Sequence, residues 1–124
     1  MRALIVDDSR FSRRYMREML ERERVTCSEA VDAETGLERL RSEPPFDLML
    51  VDWNMPGMSG PEMIVRARQE GMLGMKILMV TTVAEREHIL EALDAGADEF
   101  LMKPFDAEGL REKLALMGLE RVAE

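Results

Sequence analysis

Three aspartates, a threonine and a lysine stand at the ends of short apolar runs, and together these residue types suit phosphoryl chemistry. Leu48-Met49-Leu50-Val51 leads into Asp52 and then into the turn Trp53-Asn54-Met55-Pro56-Gly57-Met58-Ser59-Gly60-Pro61. Ala3-Leu4-Ile5-Val6 leads into Asp7 and Asp8, Lys76-Ile77-Leu78-Met79-Val80 into Thr81 and Thr82, and Glu99-Phe100-Leu101-Met102 into Lys103 and Pro104. A carboxylate ending a buried run is costly without a counter-charge, a metal or a reaction to perform. Three carboxylates brought together repel, and some take up protons unless a cation joins them. Oxygen ligands with no His or Cys among them suit Mg²⁺ or Mn²⁺ rather than zinc. A lysine and a threonine beside such an ion can hold phosphoryl oxygens, and an aspartate can attack phosphorus to give an acyl phosphate. That reaction needs little beyond in-line positioning and charge neutralisation. Taken singly, each residue reads more simply as a solvated loop-edge charge; only their convergence makes a site.

Convergence requires a particular scaffold. After a possible N-cap at Ser9, the residues Phe11, Tyr15, Met16, Met19 and Leu20 recur at helical spacing, predicting a helix from Arg10 to about Glu23. The mixed stretch 25–30 predicts a less buried edge strand. Asp32 caps a second helix with Ala33, Leu37 and Leu40 on one face, stopped by Pro44-Pro45. Ser59 and Glu62 have capping-box spacing before a third helix carrying Met63, Ile64 and Ala67, which Gly71 and Gly74 end. Thr82 and Glu85 repeat that spacing before a fourth helix with Ile89, Ala92 and Leu93 as its apolar side, closed by Gly96. Asp106 caps a last helix with Leu110, Leu114 and Met117 inward. Five strands alternating with five helices predict an α/β fold, a doubly wound parallel sheet with helices on both faces and right-handed crossovers. All strands then end on one edge of the sheet, where ligands of such open sheets bind. A single domain spanning residues 1–124, without linker, repeat or output domain, is expected.

Composition narrows the partners. A net charge of −8 and a pI near 4.8 argue against direct DNA or other nucleic-acid binding. No apolar run approaches membrane-spanning length, the N-terminus lacks a signal-peptide layout, and lone Cys27 cannot form an internal disulfide, so a cytoplasmic protein without membrane insertion is expected. The twelve methionines are dispersed, as flexible core filler would be.

The sequence resembles the receiver domain of two-component response regulators, above all the single-domain chemotaxis type. Val6-Asp7-Asp8-Ser9, Val51-Asp52-Trp53-Asn54-Met55-Pro56-Gly57-Met58-Ser59-Gly60, Val80-Thr81 and Lys103-Pro104-Phe105 carry the resemblance across essentially the whole chain. It implies the flavodoxin-like strand order 2-1-3-4-5, which the residues alone do not dictate. It further implies that Asp52 is the phosphoacceptor in a Mg²⁺-dependent transfer from a sensor histidine kinase. Asp8 and Asp52 would then bind the metal directly, Asp7 through water and Asn54 through its backbone carbonyl. Lys103 would contact the phosphoryl group, the Lys103-Pro104 peptide would be cis, and Thr81 would be the switch hydroxyl. Phe100 takes the switch-aromatic position, often Tyr in this type; lacking a hydroxyl, it can act only through packing. Signalling would reach a downstream protein through the surface of the fourth helix, fifth strand and fifth helix, so the protein is not a conventional enzyme. Thr82 stands where the family usually has a smaller residue, and its methyl is expected to block part of the path of attacking water or of small phosphodonors. Val83 offers no acid or amide to orient that water.

Other readings fit less well. An aspartate-nucleophile phosphohydrolase resembles Asp-x-Asp, with the second Asp as acid/base; Asn54 occupies that position. A flavodoxin-like electron carrier needs a Ser/Thr/Gly-rich phosphate loop where Asp7-Asp8 would repel it. A phosphate-free scaffold of the same fold would not need the acidic set. Within the receiver class, a phosphorelay intermediate passing phosphate to a histidine phosphotransfer protein is the alternative. His88 reads as an exposed helix residue, Cys27 as core filler, and Trp53 as a neighbour of the site and a natural probe. Arg10, Arg13, Arg14 and Arg17 make the first helix basic, either as a solvated face paired with Glu18 and Glu21 or as a docking face for an acidic phosphodonor partner.

Overall fold

Among the described residues, five strands and five helices alternate: β1 (Arg2–Val6), α1 (Arg10–Arg22), β2 (Thr26–Ala30), α2 (Ala33–Ser42), β3 (Leu48–Asp52), α3 (Gly60–Gln69), β4 (Lys76–Thr81), α4 (Arg86–Ala95), β5 (Glu99–Met102) and α5 (Ala107–Leu116). They belong to a computed structural model that describes residues 1–43, 45–83 and 85–119. The strands form one parallel sheet in the order β2-β1-β3-β4-β5. Val6 lies level with Val51, and Asp52 with Val80, so the first, third and fourth strands finish side by side.

Between their ends the inner strands are apolar because they are covered on both faces. Alternate side chains serve two cores, as the two-residue period of a strand requires. Leu4, Val6, Met49, Val51, Ile77 and Met79 meet Leu37, Leu40, Met63, Ile64, Ala67 and Ala92 on one face. Ala3, Ile5, Leu48, Leu50, Leu78 and Val80 meet Met16, Met19, Leu20, Leu110, Leu114 and Met117 on the other. Methionines fill both cores, and buried Cys27 sits in the second, where burial pushes its thiol pKa up to about 11.

Side-chain caps hold four helix starts. Ser9 accepts from the Ser12 N–H, Asp32 from Thr35, Ser59 from Glu62 and Asp106 from Gly109. The capping box expected at Thr82 and Glu85 does not form. Glu85 itself occupies the N-cap position in extended geometry, without a side-chain cap bond, which leaves exposed Thr82 ahead of the first turn. Leu93, expected on the apolar side of α4, is exposed, as is Leu90; α4 covers the sheet by a narrow strip in which Ala92 is the buried residue. Val25 precedes β2 rather than joining it, since Arg24 turns the chain with φ 62° before pairing begins. The predicted stop of α2 falls partly on Pro44, outside the described residues; the helix ends at Ser42.

Phe11 is a further correction. It lies 80% exposed at the edge of the α1 stripe, stacked against Tyr15, whose ring meets Phe105 edge-on and whose hydroxyl donates to the Phe105 carbonyl. Between α3 and the end of α4, Arg68 acts as a staple. It donates to the carbonyls of Gly96, Met72 and Met75 and pairs with Asp98 at 3.0 Å. Gly96 closes α4 in the left-handed region at φ 119°, where glycine is favoured.

Candidate functional site

The parallel arrangement delivers the acids to one edge. β1 ends into Asp7 and Asp8 while its neighbour β3 ends at Asp52, and one carboxylate oxygen from each lies within 4.8 Å of the others. The position is the switch point of the sheet: β1 connects outward to β2 on one side and pairs with β3 on the other. Gly60 brings the start of α3 against this strand end, its N–H donating to the Trp53 carbonyl at 3.0 Å. A Cβ at Gly60 would sit 2.5 Å from the Asp52 carbonyl oxygen, so only glycine allows that approach.

The three acids have different surroundings. Asp7 is wholly buried, with Oδ1 accepting from the Ser9 N–H at 2.8 Å and Oδ2 from Lys103 Nζ at 2.9 Å. Asp8 is exposed and Asp52 half-buried. Lys103 Nζ reaches Asp52 Oδ1 at 3.2 Å as well, so a single ammonium bridges two carboxylates. Burial and repulsion from Asp7 hold the Asp52 carboxyl above its ordinary range despite the attraction of Lys103. Burial alone would lower the Lys103 ammonium, but its bonds to Asp7 and Asp52 more than offset this and hold its pKa up. The cluster thus carries more negative charge than its lysine balances, and its free donors are all oxygen. The Lys103-Pro104 peptide is cis, as the resemblance implied.

Thr81 ends the adjacent strand, buried, with its hydroxyl accepting from the Val83 N–H at 3.1 Å and 3.3 Å from His88 Nε2. Its bonding is therefore directed to α4 rather than to the acids. Phe100 packs against the core beneath α4 and lies under Lys113 Nζ, 4.4 Å from the ring centroid. Asn54 is exposed two residues past Asp52. Thr82 and Lys103 border a largely apolar cavity of about 250 Å³ walled by Phe11, Tyr15 and Phe105.

His88 was not expected here. Rather than facing solvent, it is half-buried, stacked on Trp53 with ring centroids 3.3 Å apart and within reach of the Thr81 hydroxyl. Its signal was its place in the first turn of the helix that follows Thr81, at the carboxyl edge of the sheet. On α1, Arg14 pairs with Glu18 and Arg17 with Glu21, as the solvated-face reading anticipates. Arg13 and Arg17 also reach across to Glu29 on β2, at 3.1 and 2.6 Å. Those two bonds hold Glu29 below its ordinary pKa although burial opposes them.

Known proteins resemble this chain in sequence and fold. The family model of the response regulator receiver domain matches residues 3–115. The chain is 40% identical over 116 residues to the chemotaxis protein CheY of Pseudomonas aeruginosa, covering 92% of this chain and 93% of that one. Among solved structures it is similar to chemotaxis protein CheY4 of Vibrio cholerae, with a TM-score of 0.85 and 31% identity over 92% of this chain and 95% of that one. It is also similar to a CheY-like receiver domain from Methanospirillum hungatei, with a TM-score of 0.84 and 36% identity over 95% and 94% of the two chains. With its sheet order, its acidic edge and these matches in agreement, the chain belongs to the response regulator receiver domain family, of the CheY-like type.

Proposed function

We propose that the protein is a phosphorylation-driven signalling switch that accepts a phosphoryl group on Asp52 from the phosphohistidine of a sensor histidine kinase. A bond forms between an Asp52 carboxylate oxygen and phosphorus as the N–P bond to the donor histidine breaks, and that histidine keeps the electron pair and takes up a proton. The observation that carries this reading is the position of Lys103 Nζ, 2.9 Å from Asp7 and 3.2 Å from Asp52 within a set of three carboxylates. Lys103 can follow the charge of Asp52 onto the phosphoryl oxygens without leaving Asp7.

The donor set fits a hard divalent cation, since it is all oxygen and carries surplus negative charge. As the resemblance implies, Asp8 and Asp52 would be the direct ligands, Asp7 acting through water and Asn54 through its carbonyl; the bonds that both Asp7 oxygens already accept from Ser9 and Lys103 support that division. When bound, Mg²⁺ would neutralise charge on the transferring phosphoryl group. Thr81 would donate its hydroxyl proton to a phosphoryl oxygen, and its loop would draw α4 with it. Exposed Leu90, Leu93 and Met102 give the surface of α4, β5 and α5 an apolar character suited to a downstream protein. Phe100 would contribute by changing its packing.

We take residues 1–124 as one receiver unit that signals through protein contact, in chemotaxis by analogy with the relatives' names. Among the described residues no helix is long and apolar enough to cross a membrane. Titration with Mg²⁺ and then beryllium fluoride, an acyl-phosphate mimic, should change Trp53 fluorescence. Acetyl phosphate with Mg²⁺ should add one phosphoryl mass to the wild type and none to Asp52→Ala. Folded protein that responds to neither ion would end this reading.

A further inference from the structure

His88 joins the two strand ends that carry the chemistry. Its ring stacks on Trp53 with an interplanar angle of 23°, and Trp53 directly follows Asp52 and donates its N–H to the Val80 carbonyl at 3.0 Å. Its Nε2 lies 3.3 Å from the hydroxyl of Thr81, the residue after Val80. We infer that His88 is a positioning residue for the switch, a latch that holds the Thr81 hydroxyl in its resting orientation and must release it when Asp52 is phosphorylated. The inference rests on the proposed function and deepens it.

A threonine hydroxyl has one proton to donate. Thr81 Oγ1 already accepts from the Val83 N–H and the residue is buried, so its proton needs an acceptor within the protein. His88 Nε2 lies within reach of it and accepts it in the tautomer that carries the ring proton on Nδ1. A proton given to His88 is not available to a phosphoryl oxygen, so the two acceptors compete for Thr81. The bond from Val83 uses a lone pair and does not compete. Stacking on the indole keeps the imidazole from turning aside. Because Glu85 gives α4 no side-chain cap, the His88–Thr81 bond is also one of the ties between the start of that helix and the sheet. Breaking it therefore loosens the first turn of α4 in the same event that moves Thr81.

The variant that separates latch from packing is His88→Phe, which keeps a ring on Trp53 but removes the nitrogen. Titration calorimetry of Mg²⁺-saturated protein with beryllium fluoride should show affinity raised about three- to tenfold, the worth of one neutral hydrogen bond. His88→Ala should raise it in the same direction, and His88→Gln, which restores an acceptor, should bring it back toward wild type. In a Thr81→Val background, His88→Phe should have no effect. Unchanged or weaker affinity in the phenylalanine and alanine variants would overturn the latch, as would an equal gain without the threonine hydroxyl. If wild-type protein itself bound no beryllium fluoride, the proposed function would fall and the latch with it; binding by wild type with no change in the variants removes the latch alone.

Discussion

Replacing Asp52 with Asn should stabilise the metal-free protein while abolishing its chemistry. At an effective dielectric near 20, unit charges 4.8 Å apart repel by about 3.5 kcal/mol, and one carboxylate oxygen of Asp7 and one of Asp8 lie within that distance of Asp52. Lys103 at 3.2 Å attracts it by about 5 kcal/mol on the same scale, so charge alone comes close to balance. Asp8 is exposed, so solvent screens its share, whereas the burial of Asp52 adds strain of the same sign. Lys103 keeps Asp7 as a partner after the change. The variant should therefore gain about 1–2 kcal/mol, several degrees in Tm for a domain of this size. The pH dependence follows from the raised pKa of Asp52. A raised carboxyl favours the folded state while protonated, so the wild type loses stability as pH rises from 3.8 through the folded value. The gain from Asp52→Asn should accordingly be absent in acid and grow as pH rises through the folded value. Urea denaturation in a chelator and then in saturating Mg²⁺ tests the reasoning. Metal should stabilise the wild type more than the variant and narrow the gap. A variant less stable than wild type without metal, or an equal gain with and without it, would show that the acids do not repel as described.

Other perturbations probe separate parts of the fold. Gly60→Ala should cost about 1–3 kcal/mol in urea denaturation, because its Cβ meets the Asp52 carbonyl and the Trp53 Cα, backbone atoms that cannot rotate away; a neutral substitution would mean that this approach is not tight. Glu29→Gln should cost about 1 kcal/mol at neutral pH by loosening Arg13 and Arg17. Since the pKa of Glu29 is lowered in the fold, its contribution is present above 4.5 and lost as pH falls through the folded value, so parallel stability curves in acid would contradict the pairing. Thr82→Ala should shorten the lifetime of the acyl phosphate and speed loading by acetyl phosphate, as the side chain stands exposed beside Lys103 at the cavity. Unchanged hydrolysis and loading rates would remove Thr82 as an obstruction.

The fold was legible because each inner strand is a short apolar run leading into a residue of the candidate site. The span 48–52 reads correctly to the residue, and Ser9, Asp32, Ser59 and Asp106 cap the helices that they precede in sequence. The acids and Lys103 could be gathered from sequence because strand ends in a parallel sheet share an edge. Their division of labour could not, since it depends on Asp7 being enclosed by Ser9 and Lys103 while Asp8 stays open. Helix spacing failed where helices touch the sheet lightly. Phe11 and Leu93 satisfy an apolar period yet face outward, because periodicity gives a direction around the helix axis and not the width of the contact. His88 escaped for a related reason. Its partners lie 7 and 35 positions away in sequence, on two different strand ends.

The staple formed by Arg68 dictates how α4 can travel. Its guanidinium grips the Gly96 carbonyl and Asp98 from one side while holding the Met72 and Met75 carbonyls on the other, so the far end of α4 is anchored to the body of the protein. Without a side-chain cap at its beginning and moored at its close, this helix would, on the proposed switch, pivot about Gly96. Displacement should be greatest around Arg86 and fade toward Ala95, turning a hydroxyl's small reorientation into a tilt of the exposed leucines.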